Sequence, residues 1–308
     1  MKRICILTVL TLLVYNCGYS QLCMKKLVNR NLEFAAYQYS LMANSLIQRD
    51  NLLPKTLNKK GELVTCKSSW WTSGFFPGSL WYLYEFSKNE EIKRYAEIYT
   101  LRVADQQYTT DNHDVGFMIY CSFGNGYRIT ENNEYLQVII NGAKSLSKRF
   151  HPVVGCIRSW DWGPWQYPVI IDNMMNLEIL FFAFKKTGDS SFYKIAVSHA
   201  LKTLENHFRK DGSCFHVLSY DTITGNVISK QTRQGYSDES AWARGQAWAL
   251  YGFTMAYRET KNPLFLKQAI KIADFIINHK NLPADKIPYW DFDDPEIPNT
   301  YRDAGRVL

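Results

Sequence analysis

Two acidic residues carry the strongest chemical signal in the sequence. Asp114 and Asp172 each close a long loop and open a predicted helix. Two readings fit that placement. As N-caps, they would accept backbone N–H bonds from the first helical turn, a role for which Asp is a favoured type. As a pair meeting at one end of a helical bundle, they would form the two-carboxylate arrangement that acid–base work on a sugar requires. The two readings pull proton affinity in opposite directions. A helix N-terminus stabilises the ionised carboxylate, whereas a proton donor needs its acid form held up by burial or by a neighbouring negative charge. Trp160, Trp162 and Trp165, in the loop before Asp172, are candidates for that burial.

A second group gathers around Arg244, which stands near a predicted helix start between Trp242 and Trp248. An Arg so placed suits a bound carboxylate, which it can grip through two parallel N–H bonds. Either Trp could equally be a core residue. His113, His216 and Gln234 lie in the same loops, and each taken singly reads as a structural hydrogen-bonder as readily as a ligand contact.

A recurring pattern supplies the elements that must position these groups. Asn89, Asn132, Asp189 and Asn262 each begin a polar cap followed by an amphipathic helix, and each follows a helix rich in apolar and aromatic residues. Asn and Asp cap helices well, and Pro263 suits a first helical turn. Each unit is therefore a helical hairpin, which stacks on its neighbours to bury an apolar face that it cannot bury alone. Helices are expected at residues 27–48, 75–86, 91–107, 115–129, 135–149, 173–186, 192–209, 240–259 and 264–280, in one domain. Residues 215–229 read as a small β-hairpin, with no other strand series. Short turns lie at one end of the stack. Long Trp-, Gly- and Asp-rich loops lie at the other, where function is expected.

The composition is that of a folded protein: of 308 residues, 46% are hydrophobic and 21% charged. Aromatics reach 15%, enough to fill a core and also to line a groove that grips rings. A net charge of +7 favours anionic partners. Lys2 and Arg3, an apolar run from Ile4 to Tyr15 and the small residues Gly18 and Ser20 read as a signal peptide over residues 1–20, leaving 21–308 as the mature domain. Asn16 before Cys17 is a poor match for lipid attachment. The expected location is periplasmic or secreted, with no membrane span. The cysteines from Cys23 onward form no CxxC pair, and the six histidines form no HExxH, so no metal site is expected. Neither a P-loop nor a dinucleotide fingerprint occurs, and basic residues form no stripe suited to nucleic acid. No cofactor and no obligate protein partner are inferred.

Five stretches taken in order are more specific. Trp71-Thr-Ser-Gly-Phe-Phe-Pro-Gly, His113-Asp-Val-Gly-Phe, Ile171-Asp-Asn-Met-Met-Asn-Leu-Glu, Trp242-Ala-Arg-Gly-Gln-Ala-Trp and Pro288-Tyr-Trp-Asp-Phe-Asp together resemble unsaturated glucuronyl hydrolases of glycoside hydrolase family 88. The resemblance runs from about residue 28 to 304. It implies an all-α (α/α)6 toroid with its site at the N-terminal ends of the inner helices. It also implies removal of a 4,5-unsaturated uronic acid from lyase-generated oligosaccharides, glycosaminoglycan products in particular. By that resemblance Asp172 would protonate C4 of a vinyl ether and activate water for C5, and Asp114 would support it. Trp71, Trp242 and Trp248 would wall or stack on the sugars, and His113, His216, Gln234 and Arg244 would contact polar groups. The nine predicted helices fall short of the twelve in such a ring, and Arg302-Asp-Ala-Gly-Arg-Val-Leu308 departs from the family pattern. A C-terminally truncated ring is therefore expected. The alternatives are an unsaturated rhamnogalacturonyl hydrolase and an inactive relic or sugar-binding protein.

Overall fold

A computed structural model describes residues 2–302, with side chains from Cys23 onward. The side chains of the expected leader, Cys17 included, and the terminal residues 303–308 lie outside the described residues. Among the described residues no helix is long and apolar enough to cross a membrane.

A first helix, α1 (Lys2–Leu46), leads into a hairpin of β1 (Leu53–Leu57) and β2 (Leu63–Cys66). Four helical hairpins follow. They pair α2 (Phe75–Ser87) with α3 (Glu90–Leu101), a π-helix (Gly116–Gly124) and α4 (Asn125–Thr130) with α5 (Asn133–Ser147), and α6 (Asn173–Asn176) and α7 (Glu178–Thr187) with α8 (Ser190–Asn206). The last pairs α9 (Ala243–Thr260) with α10 (Pro263–Asn278). α2 packs on the π-helix and α4, the π-helix on α6 and α7, and these on α9. These helices form an inner layer, and α3, α5, α8 and α10 back them on the outside. That is the two-layer architecture of an α/α toroid.

One chemical device makes all four hairpin turns. Ser87-Lys-Asn, Thr130-Glu-Asn, Thr187-Gly-Asp and Thr260-Lys-Asn end one helix and start the next. The middle residue takes a left-handed conformation, with φ of 54° at Lys88, 55° at Glu131, 75° at Gly188 and 58° at Lys261. Its N–H closes the preceding helix on the carbonyl of Tyr84, Tyr127, Phe184 or Tyr257. The cap side chain then accepts from the next helix, as Asn89 does from Glu91 N at 2.8 Å and Asn262 from Leu264 N at 3.0 Å. Each Ser or Thr hydroxyl also accepts from the cap residue's own N–H, at 3.1–3.3 Å. Three non-glycine residues tolerate positive φ here because both flanking helix ends are satisfied by it.

Three of the expected helices are divided. The 91–107 segment breaks after Leu101 into a 3-10 turn at Ala104–Tyr108, where the Arg102 guanidinium turns back onto the carbonyls of Leu46, Ile47 and Leu52. The 115–129 segment opens with the π-helix, and 173–186 is interrupted at Leu177. β-structure exceeds expectation as well. Beyond the β1–β2 pair, β3 (Phe150–His151) pairs with β4 (Cys156–Ile157), and β5 (Pro168–Ile170), β6 (Val217–Tyr220) and β7 (Val227–Gln231) form an antiparallel sheet in that order. β6 and β7 are the hairpin expected at residues 215–229, whereas β1 to β5 are too short for alternation to reveal them. β5 is an edge strand that begins on proline, which costs no ladder bond there.

The inner layer closes tightly where α2 begins. A Cβ on Gly74 would stand 2.3 Å from the backbone oxygens of both Phe117 and Met118, which cannot move without opening the π-helix. Gly74→Ala should therefore cost about 1–3 kcal/mol through enforced separation of α2 from its neighbour, read as a lowered urea midpoint.

Candidate active site

The three-stranded sheet delivers three loops to one place. Ile170 pairs with Val217, and Val217 with Gln231. Asp172 follows β5, His216 precedes β6 and Gln234 follows β7, so all three emerge at the same end of the sheet. Ile171 N–H donates to His216 O at 3.1 Å and extends the ladder to the edge of the site. Asp114 reaches the same region from the loop pinned by His113 N–H on Ser159 O at 2.9 Å.

Neither aspartate side chain caps its helix. Asp172 has helical backbone angles and its carboxylate makes no capping bond, in contrast to the four hairpin caps. Asp114 likewise contributes its backbone carbonyl, which accepts from Met118 N at 2.9 Å. Both carboxyls hold their protons far above the usual range, at about 7. Burial is the main cause in each. The charge of Asp172 pushes Asp114 further up, and Arg149 pulls it down. For Asp172 burial is opposed by the Arg244 charge, its own backbone N–H and the Trp248 indole.

Each carboxylate is faced by a neutral histidine whose tautomer is set from behind. His216 Nδ1 accepts from Arg233 N at 3.0 Å and Gln234 N at 3.2 Å, so its proton resides on Nε2, 3.8 Å from Asp172 Oδ2. Asn176 Oδ1 accepts from Phe117 N at 2.7 Å, which leaves its amide nitrogen to donate to His113 Nδ1 at 3.3 Å. His113 is thereby also protonated on Nε2, 3.5 Å from Asp114 Oδ1. Burial pushes both histidines down to about 3, so neither becomes a cation at neutral pH. Asp172 Oδ2 and His216 Nε2 are buried without a hydrogen-bond partner among the described residues. A buried polar atom without a partner calls for an explanation, of which a functional role is one.

Aromatic rings wall this group. Trp71 meets Phe117 with centroids 5.7 Å apart, and Phe117 meets Trp248 at 5.2 Å. The Arg244 guanidinium lies 4.6 Å from the Trp242 ring and 5.8 Å from that of Trp71, and donates to Gln234 Oε1 at 3.4 Å. Trp242 in turn packs on His216 at 4.6 Å. All nine residues singled out from the sequence therefore join one contiguous cluster. Trp160 and Trp165 pack against Ile170 and Val217 of the sheet, and Trp162 stacks on the Trp160 ring from an exposed position. Phe117 and Asn176 belong to the site as well; both stand in the family-like stretches, but their contacts were not legible because the partners are distant in sequence. A separate cavity of about 660 Å³ continues along the inner helices past Phe117, lined by Tyr120, Glu178 and Tyr251 among others and by none of the nine.

The profile of Glycosyl Hydrolase Family 88 matches residues 42–279. The chain belongs to that family. An unsaturated glucuronyl hydrolase of Formosa agariphila is 48% identical over 270 residues, covering 87% of this chain and 66% of that protein. An unsaturated chondroitin disaccharide hydrolase of Streptococcus agalactiae is 36% identical, covering 72% and 56%. A crystal structure of an unsaturated glucuronyl hydrolase specific for heparin superposes with a TM-score of 0.84 at 47% identity, over 89% of this chain and 74% of that one. The family 88 chain thus spans just under two-thirds, or less, of the length of these two curated relatives.

Holding two acids in a site that resists their ionisation costs stability. Below pH about 4, Asp172 is protonated folded or unfolded and contributes nothing. Between about 4 and 7 the unfolded chain releases the proton while the folded chain keeps it, so stability falls as pH rises, and above about 7 the full cost stands. Asp172→Asn should therefore be more stable than the parent at pH 8, on the order of 2–4 kcal/mol, and equal to it near pH 4. Urea midpoints at the two pH values check this.

Proposed function

We propose that this family 88 protein hydrolyses 4,5-unsaturated uronides at the non-reducing end of lyase-generated glycosaminoglycan oligosaccharides. The observation that carries the reading is the pairing of two carboxyls that both hold protons near pH 7, each opposite a neutral histidine Nε2–H, within one aromatic-walled cluster. The activities for which the relatives are named support it.

The chemistry follows from the substrate's enol ether. Asp172 in its acid form gives its proton to C4, and positive charge develops at C5 beside the ring oxygen. The resulting Asp172 carboxylate, steadied by His216 Nε2–H, then takes a proton from water as that water bonds to C5. The hemiketal so formed opens and expels the remaining sugar. Asp114, with His113 at its side, holds ring hydroxyls and shares in keeping negative charge costly at Asp172. Arg244 and Gln234 contact the anionic and polar groups of the sugar, while Trp71, Trp242 and Trp248 wall its ring. In this scheme the negative charge that Arg244 meets is the uronate carboxylate, matching the overall positive charge of the chain.

The same reading places the chain in the periplasm or outside the cell. Its support is the basic start, apolar run and small residues of positions 1–20. A mature N-terminus near Gln21 on exported protein would agree with it, and an uncleaved cytoplasmic product would refute it.

The substrate carries its own signal, since the C4=C5 bond absorbs in the ultraviolet. The expected result is loss of that absorbance with unsaturated glycosaminoglycan disaccharides, falling off as pH rises above about 7 where the acid form of Asp172 is lost. Asp172→Asn should lower the rate by about 100-fold or more. Turnover of pectin-derived products alone would instead indicate the rhamnogalacturonyl activity, and no turnover by folded protein would refute the enzyme reading.

A further inference from the structure

Asp291 lies in the Pro288-Tyr-Trp-Asp-Phe-Asp stretch, remote from the two reacting carboxyls in sequence and given no part in the chemistry above. It is completely buried. Its Oδ2 accepts from Tyr236 N at 2.9 Å and Ser240 Oγ at 2.7 Å, and its Oδ1 from Asp293 N at 3.0 Å. The backbone on either side is tied to the start of α9, with Ala243 N donating to Trp290 O and Phe292 N to Ala241 O, both at 3.0 Å. Packing leaves no slack between these parts. A Cβ on Gly235 would stand 3.1 Å from Asp291 Oδ2, 3.1 Å from Trp242 Cβ and 2.7 Å from Thr232 Oγ1.

One carboxylate therefore gathers the loop from Thr232 to Trp242 at its middle and its end. The beginning of that loop supplies the Arg233 and Gln234 N–H groups that occupy His216 Nδ1. Its end supplies Trp242, stacked on His216, and then Arg244. We propose that Asp291 is a positioning residue: by fixing this loop it keeps both N–H groups on His216 Nδ1, and so keeps the Nε2 proton directed at Asp172. Asp291 touches no substrate and acts through the loop. What the positioned proton accomplishes rests on the hydrolase reading, but how the loop is held does not.

The test uses the full chain labelled with ¹⁵N-histidine, so that each ring's tautomer is read directly from long-range ¹H–¹⁵N correlations. In the parent protein His216 should be a single Nε2–H tautomer. In Asp291→Ala it should become a mixture of tautomers. His199, whose Nδ1 accepts from Ile157 N at 2.9 Å, and His207, bonded to Val169 O at 3.2 Å, report that the rest of the fold is intact. Asp291→Asn keeps one acceptor oxygen but must set its amide against an N–H donor, so it should give a smaller change in the same direction. If His216 stays a single tautomer in both variants while His199 and His207 are unchanged, the proposal is wrong. On an unsaturated disaccharide, kcat/KM should fall by about 10- to 100-fold in Asp291→Ala and less in Asp291→Asn. Failure of the parent to turn over any such substrate would refute the hydrolase reading, while the tautomer measurement would still decide the role of Asp291.

Discussion

Everything at the mouth of this protein answers to the cost of keeping two carboxyl groups away from water. An isolated buried carboxylate is expensive, and it escapes the expense by retaining its proton. Asp114 and Asp172 do this in each other's presence, so ionising either one raises the cost of ionising the other. The surroundings moderate the effect without cancelling it. Arg149 and Arg244 pull the two groups down, yet each cation also engages other partners: Arg149 is paired with Asp161, and Arg244 with Gln234 and the faces of two tryptophans. The result is two acids able to exchange protons near neutral pH.

The histidines follow from the same constraint. A protonated histidine beside either aspartate would draw it toward the ionised form and give up the acid. Burial keeps His113 and His216 neutral. Donors behind each ring occupy Nδ1 and leave the N–H on the side of the carboxylate. A neutral N–H can support a carboxylate that forms during reaction without abolishing its proton affinity beforehand. The supports lie on different parts of the chain: Asn176 on α6 for His113, and the segment after β7 for His216.

The hairpin stack makes such an arrangement affordable. Its turns are built from a three-residue device that satisfies both helix ends locally, so the opposite end is free to carry long loops. Those loops are not left floppy. A three-stranded sheet, the π-helix and the Trp290–Phe292 ladder hold them against the inner helices. The π-helix begins where Gly116 lies against Asn176, and there Phe117 N–H is spent on the Asn176 side chain.

Local chemistry was readable from the sequence. Asn89, Asn132, Asp189 and Asn262 announce themselves because a cap bonds the backbone only two residues ahead. The helical hairpins, the loop-rich end and the positions of Asp114, Asp172 and Arg244 come from the same short-range patterns. Whether the two aspartates were caps or a buried pair was not readable, since both uses place Asp at a helix start. Tertiary structure decided it, by leaving both helix starts without a side-chain cap and surrounding the two carboxyls with distant residues. It likewise assembled Asn176 with His113, Arg233 and Gln234 with His216, and Asp291 with Tyr236 and Ser240, and it packed Trp160 and Trp165 against the sheet. These contacts join segments with no shared periodicity, so only the folded chain brings them together.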